Sequence, residues 1–500
     1  MTGSVIVVGA GPTGLAVAAE LALAGTTVTV VERRAERPLG SKATAMQARV
    51  LELLDMRGVV DTFLAAGMPW GKGHFGGLPL PLDQLPSRYN HLLVIPQHRT
   101  ELLLEQRATA LGVTVLRGHR VTGLDQDDHA VTVIADHDGG QLRLSADYLV
   151  AADGSRSTVR ELLGVAFPGQ DDQWTSIAAE VRLTDPPAGV SLASGPLGKV
   201  NTAPLGDGYY KVICTDSRRN RIPVDEPATL DELRSSMRDI AGTDHGITDP
   251  LLLARFGDAS RQIEQYRHKR VLFAGDAAHM HYPAGGQGMN TGIQDAFNLG
   301  WKLAAVADGR AHPALLDTYH AERHPVGQQL LANTRAQVPL IMAFGDDPLT
   351  ATKQYLATEI LPIPGVAAHI AGTESGIGIR YPAEEDAHPR VGHRLPDLHL
   401  PALRENGTPL DEHRAFPLLR DGNFLLLTTA DSPMADTPAG RHLRVVTLPA
   451  DDGETLLGAP SVLVRPDGHI AWAGGDGTDD RAALHAALPH GGATGRPVAA

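Results

Sequence analysis

The feature that most constrains the fold of this chain is the stretch SVIVVGAGPTG at residues 4–14. A short, continuous apolar run such as SVIVV is typical of a parallel strand that is buried on both faces. The glycine turn leads into LAVAAELALAG, a helical segment that stops at Gly25, and TVTVVER then gives a second strand ending in Glu32. Strand, helix and strand in this order predict a βαβ unit and therefore an α/β fold.

The glycine spacing in this turn indicates a dinucleotide site. Gly9 permits the tight turn, Gly11 lets a pyrophosphate approach the backbone, and Gly14 lets the helix pack closely on the strand. Free amides at the start of the helix would face the phosphates. Glu32 can accept hydrogen bonds from a ribose diol. The motif predicts an adenine dinucleotide, but it does not distinguish a nicotinamide from a flavin.

Composition excludes several other classes of protein. A chain of 500 residues is too long for one core, which predicts two or three domains. The 44 basic and 58 acidic residues give a net charge of −14, which argues against a nucleic-acid partner. The single cysteine, Cys214, excludes a disulfide framework, a thiolate zinc site and a redox pair within one chain. No apolar run approaches the roughly 20 residues of a membrane span, so we expect a cytoplasmic protein that is not bound to membranes.

A second glycine-rich segment, LFAGDAAHMHYPAGGQGMN at residues 272–290, separates flavin from nicotinamide. It places Asp276 at the end of a strand, before a loop that contains Gly285, Gly286 and Gly288 and leads into a helix. A carboxylate at a strand end suits the hydroxyls of a ribityl chain. A glycine loop at a helix N-terminus suits the end of an isoalloxazine ring where negative charge gathers on reduction. These features predict resident FAD.

Three separated motifs carry a family resemblance. They are GAGPTG with Glu32, ADGSRSTVR at residues 152–160, and GDAAHMHYPAGGQGMNTGIQDAFNL from Gly275. Together they resemble the single-component, FAD-dependent aromatic hydroxylases of the p-hydroxybenzoate hydroxylase type, the group A flavoprotein monooxygenases. ADGSRSTVR is similar to the DG motif of that family, and the third segment is similar to its GD motif. A third part of the chain, which contains RPDGHIAW, resembles the subgroup of bacterial polyketide hydroxylases and phenol hydroxylases.

The resemblance implies a set of cofactor-binding residues. Asp153 would serve both FAD and a transient NAD(P)H, Asp276 would hold the ribityl chain, and Gln97 matches a family glutamine or arginine near the flavin. Arg33 would lie over the adenine or remain solvated. The full set is Gly9, Gly11, Pro12, Thr13, Gly14, Glu32, Arg33, Lys42, Gln97, Asp153, Asp276, Pro283, Gly286, Gly288, Met289 and Asn290.

The flavin environment and one departure from the family also follow from the resemblance. Pro283, Gly285 and Gly286 would form the surroundings of the flavin C4a position, with no nucleophile from the protein. Lys42 stands where the family usually has arginine. Because lysine supplies a point charge without a bidentate fork, flavin positioning or movement through this residue is in doubt.

The reaction that the resemblance implies depends on the cofactor. NADPH or NADH would reduce FAD, and the reduced flavin would capture O2 as a C4a-hydroperoxide. One oxygen would then pass to the ring of an aromatic polyketide or related phenolic natural product. Baeyer–Villiger insertion or epoxidation by the same hydroperoxide is an open alternative, and a flavin-binding protein without catalysis is a more distant one.

The order of strand-like, helical and Gly/Pro-rich segments predicts the domain organisation of the chain. We expect an α/β FAD-binding Rossmann-like domain over residues 1–68, 91–170 and 266–380. An inserted α+β substrate-binding domain, mainly β-sheet, would comprise residues 69–90 and 171–265. A thioredoxin-like α/β domain over 390–490, which cannot exchange thiols because it has no CxxC pair, would precede a disordered tail at 491–500.

Substrate and metal sites are less constrained by the sequence. Trp70, Phe75 and Tyr210, and also His74 and Tyr209, could stack on a flat substrate, although such aromatics are commonly core residues. His279 and His281 form an H-x-H pair without nearby carboxylate or cysteine ligands, so no metal is predicted. The expected partner is a small aromatic molecule, and the protein is expected to be a monomer or a homodimer.

Overall fold

The computed structural model describes residues 3–450, 456–475 and 480–489. Within these ranges the α-helices are α1 (Pro12–Leu23), α2 (Ala48–Met56), α3 (Val60–Ala66), α4 (Gln97–Ala110), α5 (Thr158–Leu162), α6 (Leu230–Ala241), α7 (Gln287–Ala307), α8 (Asp317–Met342), α9 (Pro348–Tyr355), α10 (Val366–Ser375) and α11 (Asp480–Ala487).

The strands within the same ranges run from the N-terminal segment to the last described part of the chain. In chain order they are β1 (Ser4–Val8), β2 (Thr27–Glu32), β3 (Ala45–Met46), β4 (Met68–Trp70), β5 (Lys72–Phe75), β6 (Leu78–Pro81), β7 (Leu92–Val94), β8 (Thr114–Arg117), β9 (Arg120–Gln126), β10 (Val131–His137), β11 (Gly140–Ala146), β12 (Tyr148–Ala151), β13 (Gly169–Gln170), β14 (Thr175–Leu183), β15 (Ser191–Gly195), β16 (Gly198–Gly206), β17 (Tyr209–Asp216), β18 (Ile247–Gly257), β19 (Ser260–Gln262), β20 (Arg267–His268), β21 (Val271–Phe273), β22 (His279–Met280), β23 (Arg404–Glu405), β24 (Thr408–Pro409), β25 (Phe424–Thr429), β26 (Leu443–Leu448), β27 (Ser461–Val464) and β28 (Ile470–Gly474).

A six-stranded sheet forms the first layer, in the order β20-β21-β12-β1-β2-β8. Its neighbours pair in parallel except at the edge, where β20 is antiparallel to β21. Helices α4 and α7 pack against α1, which follows β1 directly. β1 is buried along nearly its whole length, as a strand covered on both faces must be. The predicted strand–helix–strand start is confirmed by β1, α1 and β2.

A five-stranded antiparallel sheet follows, in the order β15-β16-β17-β14-β18. One of its faces packs against Leu233 and Met237 of α6 and includes Val181, Val200 and Cys214. Because side chains alternate along a strand, the residues between these point to the opposite face. On the opposite face, Glu180 and Lys211 bond to the backbone of Ser41, and Phe256 contacts Tyr282 in the loop before α7.

A mixed six-stranded sheet forms the C-terminal part, in the order β24-β23-β26-β25-β27-β28. β25 pairs in parallel with β26 and antiparallel with β27. Buried arginines join this part to the first layer. The Arg57 guanidinium donates to both carboxylate oxygens of Glu20 on α1 and also to the carbonyls of Leu419 and Pro466.

Several sequence expectations change in detail. The helix expected after the second glycine-rich loop is α7, and a second long helix, α8, follows it. Residues 69–90 add no strand to the five-stranded sheet: β5 and β6 form a separate hairpin, and β4 pairs with β7. The tail predicted at 491–500 lies outside the described residues. No helix in the described ranges has the length and apolar character needed to cross a membrane.

Candidate functional site

The turn after β1 is tight, and close backbone contacts together with the Glu32 side chain fix its conformation. Gly9 has φ +106°, a conformation that favours glycine. A Cβ on Gly14 would lie 2.0 Å from the Gly9 carbonyl oxygen, so α1 can begin this close to the strand only with glycine there. The Glu32 carboxylate accepts from the Ala10 amide at 2.9 Å and from the Arg34 amide at 2.9 Å. Glu32 therefore fixes the turn against the end of β2.

Gly11 is different, because nothing lies within 4 Å of the position that its Cβ would occupy. It is the N-cap of α1 and offers no side chain to the first-turn amides. Gly154, in the DG motif, also faces open space. Two glycines thus leave room that the protein itself does not fill.

Asp153 lies beside this space, just after the end of β12. Its Oδ2 accepts from the Val159 amide at 3.1 Å, whereas Oδ1 is buried and has no hydrogen-bond partner among the residues that the structure describes. Burial raises the pKa of the Asp153 carboxyl, although hydrogen bonds from Ser157 and from backbone amides oppose the shift. A buried carboxyl oxygen without a partner fits a group that binds from outside the chain.

The GD motif meets the first turn directly. A Cβ on Gly275 would lie 2.6 Å from Thr13 Oγ1, and one on Gly292 would lie 2.3 Å from the same atom. Asp276 follows β21 and is exposed. The carboxyl ends of β1, β2, β12 and β21 share one edge of the parallel sheet, which brings Gly11, Glu32, Asp153 and Asp276 to that edge.

The loop before α7 has an unusual backbone and strong support. Gly285 and Gly286 have φ values of +65° and +66°, and Gly286 caps α7 without a side chain. Asn290 closes the loop: its Nδ2 donates to the Gly286 carbonyl at 2.8 Å, and its Oδ1 accepts from the Gln47 amide at 2.7 Å. Gln47 Nε2 donates to the Gly285 carbonyl at 2.7 Å. The amides at the start of α7 thus face outward beside exposed Pro283.

A buried network lies under this motif. Asp295 accepts from Arg323 Nε at 2.6 Å and from the Gly275 amide at 3.1 Å, and it contacts His279 Nε2 at 2.9 Å. Burial raises the pKa of Asp295, but Arg323 and His279 outweigh this and lower it. His279 therefore supports the GD turn. Within the described ranges no group of three or more His, Cys, Asp and Glu residues could hold a metal ion.

The segment that contains Lys42 is fixed from two sides. Gln97 Oε1 accepts from the Ala43 amide at 3.1 Å. The Ser41 amide donates to Glu180 of β14 at 2.9 Å, and Lys211 of β17 donates to the Ser41 carbonyl at 2.5 Å. Lys42 itself is exposed, as is Arg33. Gln97 thus orders the chain next to the candidate site, a role that the sequence did not indicate.

A carboxyl group that the sequence analysis does not predict also lies beside the glycine loop. Glu374 of α10 is 6% exposed, and its carboxyl carbon would lie 3.2 Å from a Cβ on Gly285. Gln337 of α8 donates to Glu374 at 2.7 Å, and its Oε1 accepts from the Gly76 amide at 2.8 Å. Burial raises the pKa of Glu374 to about 8. No motif marks this residue, because its partners come from distant parts of the chain.

The aromatic residues singled out as substrate contacts lie in different surroundings. Trp70 and Phe75 are partly exposed and belong to none of the buried apolar clusters of the described residues. Tyr210 packs into the core beneath α6, on the face of the antiparallel sheet that points away from the glycine loop. Strand alternation therefore separates Tyr210 from the glycine loop, and its role as a substrate contact stays a prediction.

These features fit FAD. Gly11 and Gly154 leave unfilled space beside the buried, unpartnered Oδ1 of Asp153 in the described structure. The N-termini of α1 and α7 have no side-chain caps. The first of these helix starts lies at the shared strand edge. Helix starts and free amides suit phosphate and the electron-rich end of a flavin. Met289 and Gly288 lie in the first turn of α7, within the same loop–helix unit.

Comparison with known proteins points the same way. Residues 2–334 match the FAD binding domain family, and residues 388–493 match the aromatic-ring hydroxylase C-terminal family. A rifampicin monooxygenase of Streptomyces venezuelae is 42% identical over 478 residues, which cover 94% of this chain and 96% of that protein.

Two further proteins are similar over almost the whole length. The 12-dehydrotetracycline 5-monooxygenase/anhydrotetracycline 6-monooxygenase of Streptomyces rimosus is 41% identical over 487 residues, which cover 94% of each chain. The crystal structure of CabE, an aromatic hydroxylase from angucycline biosynthesis, superposes with a TM-score of 0.85 at 38% identity, covering 95% of this chain and 96% of that one.

Proposed function

The chain belongs to the FAD-dependent aromatic-ring hydroxylases, and from this premise we propose that it hydroxylates an aromatic polyketide or a related phenolic natural product, with NADPH or NADH as electron donor. Two similar proteins are named as monooxygenases of 12-dehydrotetracycline and anhydrotetracycline and of rifampicin, which supports this substrate class. We place the reaction in the cytoplasm, on a small molecule.

One structural observation carries the proposal. The glycine loop before α7 lies against the face of the antiparallel sheet that α6 leaves uncovered. Tyr282 and Ala284 of this loop region pack with Phe256 of β18 and Trp174 at the start of β14. A flavin loop that faces a sheet provides two walls between which a flat substrate can be held.

The residues at the shared strand edge would hold the cofactor. Gly11 and the first-turn amides of α1 would bind its pyrophosphate, Glu32 its adenosine ribose, and Asp276 its ribityl chain. Asp153 would accept a hydrogen bond through its free oxygen. Bound FAD supplies the activation of dioxygen and the transfer of one oxygen atom to an electron-rich ring.

The protein's own groups bind, orient and exclude water. Asn290 and Gln47 keep the glycine loop in its positive-φ conformation, so that the α7 amides stay directed at developing negative charge. The apolar residues Tyr282, Phe256 and Val338 keep water from that side of the loop. Pro283, Gly285 and Gly286 would form the surface next to the reacting ring.

The test is oxygen transfer to product. The FAD-loaded protein is incubated with NADPH, isotopically labelled dioxygen and a panel of polycyclic phenols that includes anhydrotetracycline, with free FAD as the control. We expect a product with one labelled oxygen on the ring, detected by mass spectrometry. A lactone with one labelled oxygen would show Baeyer–Villiger insertion instead of ring hydroxylation, and an epoxide with one labelled oxygen would show epoxidation. Peroxide alone across the whole panel would contradict the proposal.

A further inference from the structure

Three basic side chains interact electrostatically near the β15–β16 edge of the antiparallel sheet. They are His74 on β5, Lys199 on β16 and Lys353 on α9. The cavity beside them has a volume of about 390 Å³. Its walls include Leu78, Ser194, Gly195, Phe344, Thr350 and Lys353. None of these basic residues belongs to the cofactor motifs.

The strand register places Lys199 at this cavity. Lys199 is directly opposite Ser194 in the β15–β16 pair. Residues directly opposite each other in an antiparallel pair point to the same face. Ser194 lines the cavity, and the next residue along β16, Val200, is buried in the core beneath α6. The Lys199 side chain is therefore on the cavity side of the sheet.

Lys353 reaches the same region from the opposite wall. Its ammonium group donates to the Leu340 carbonyl at 3.3 Å. The same nitrogen would lie 3.2 Å from a Cβ on Gly77, in the turn between β5 and β6. The amine thus spans from α9 to the hairpin that carries His74.

The three groups influence one another electrostatically. Burial, together with the positive charges of Lys199 and Lys353, lowers the pKa of His74 to about 4. Burial and the charge of Lys353 lower the pKa of Lys199 to about 7. Neutral His74 keeps one nitrogen as donor and one as acceptor. His74 is exposed, Lys199 and Lys353 are half-buried, and the cluster carries positive charge that no carboxylate of the described residues pairs with.

Two lysines of this chain that are more deeply buried, Lys211 and Lys302, have carboxylate partners. Lys211 pairs with Glu180 at 3.3 Å, and Lys302 pairs with Glu322 at 2.7 Å. In the part of the chain that the structure describes, neither Lys199 nor Lys353 forms an ion pair with a carboxylate. The chain carries a net charge of −14, so carboxylates are not scarce. Their absence from this cavity leaves room for an anion from outside.

The geometry points to a subsite formed by Lys199, Lys353 and His74 that binds an anionic oxygen group of the aromatic substrate, namely a carboxylate or an ionised enol. This inference rests on the proposed function, since it assigns the cavity to the same substrate. It predicts a substrate that is acidic at one end and carries the ring to be hydroxylated at the other. Two ammonium groups and a hydrogen-bonding imidazole match the several acceptor positions of such an oxygen group.

The test compares an acid with its neutral ester on the FAD-loaded protein. The probes are 1-hydroxy-2-naphthoic acid and its methyl ester, and binding is followed through the change in flavin absorbance. We expect the wild type to bind the acid at least tenfold more tightly than the ester. Lys199→Gln and Lys353→Gln should each weaken acid binding at least fivefold and change ester binding less than twofold. Lys269→Gln, in the β20–β21 turn, is the matched control and should change neither.

Three results would overturn the inference. They are equal binding of acid and ester by the wild type, equal loss of both probes in the variants, and no binding of either probe. A second source of anionic oxygen is the 2′-phosphate of NADPH. A rise in KM for NADPH but not for NADH in both variants, with the acid preference unchanged, would assign the subsite to that phosphate instead.

The two proposals fail separately. Binding is measured without turnover, so an acid preference can be seen even if no phenol is oxygenated. Conversely, the protein could form labelled product from neutral phenols and still bind the acid no more tightly than the ester. That result would support the hydroxylase function and contradict the anion subsite.

Discussion

Two glycines of the first turn, Gly11 and Gly14, are needed for different reasons. The Cβ of residue 14 would collide with the Gly9 carbonyl oxygen, whereas that of residue 11 would enter space that no protein atom occupies. Gly11 also has φ −78°, which any residue adopts. The chain itself therefore requires glycine at 14, whereas at 11 we propose that the bound cofactor requires it.

The first prediction separates these roles. Gly11→Ala should lower the bound FAD at least tenfold while the protein without FAD unfolds at the wild-type temperature. Gly14→Ala should lower the unfolding temperature of the protein without FAD, because α1 must move away from β1. The measurements are the flavin-to-protein ratio and thermal unfolding followed by circular dichroism.

Gly440→Ala is the matched control, since its Cβ also meets nothing within 4 Å and it lies in the C-terminal part. It should change neither quantity. Full FAD content in Gly11→Ala would contradict the assignment of this open space to the cofactor.

At the scale of elements, α8 and α10 meet the glycine loop through one uncharged carboxyl. Glu374 lies against Gly285 and accepts from Gln337, and no charged group is among the causes of its pKa shift. Because the native state keeps the proton up to a pKa of about 8, the carboxyl adds no negative charge beside the loop at neutral pH.

The second prediction follows from this raised pKa. Between pH of about 4.5 and about 8, the unfolded chain loses the Glu374 proton and the native state retains it. The free energy of unfolding contributed by this group therefore falls as pH rises, by up to ~1.4 kcal/mol per pH unit. Glu374→Gln should remove that part of the slope, as measured by urea unfolding of the FAD-loaded protein across this range.

Glu385→Gln is the control for this measurement, because Glu385 is exposed and should leave the wild-type slope unchanged. If Glu374→Gln had the same pH dependence as the wild type, Glu374 would be ionised in the native protein.

At the scale of the whole molecule, a buried charge network joins the C-terminal sheet to α7 and α8. Glu322 accepts from Lys302 at 2.7 Å and from Arg465 at 2.7 and 2.8 Å. Burial raises the pKa of Glu322, but Arg465 and Lys302 outweigh this and hold it well below its usual range. Arg465 follows β27, so the network connects parts of the chain that are far apart in sequence.

The third prediction tests this connection. Glu322→Gln leaves two buried cations with less compensation, and removal of one partner from a buried pair costs about 3 kcal/mol or more. We expect the urea midpoint of the FAD-loaded protein to fall accordingly. Asp207→Asn neutralises an exposed carboxylate whose side chain is 75% accessible, and it should cost less than ~1 kcal/mol. Equal effects of the two variants would show that the network does not hold the C-terminal part in place.

The βαβ start, the glycine turns and the three motifs of the family can be recognised in the amino-acid sequence alone. These features are local: a glycine reports a required backbone conformation, and a continuous apolar run reports burial on both faces. The tight turns at Gly9 and Gly285 and the close approach of α1 to β1 at Gly14 could therefore be predicted from the sequence.

Which face of each strand meets the site depends on how distant segments pack together, and the sequence pattern does not reveal it. Alternation along β16 and β17 separates two sets of side chains but does not say which set faces the glycine loop. The position of Tyr210 beneath α6 and that of Lys199 on the cavity side therefore could not be predicted. Glu374, Gln337 and Gly76 become neighbours only when α8, α10 and the β5–β6 hairpin pack together. Contacts between distant segments leave no local pattern, because each residue's conformation is ordinary where it stands.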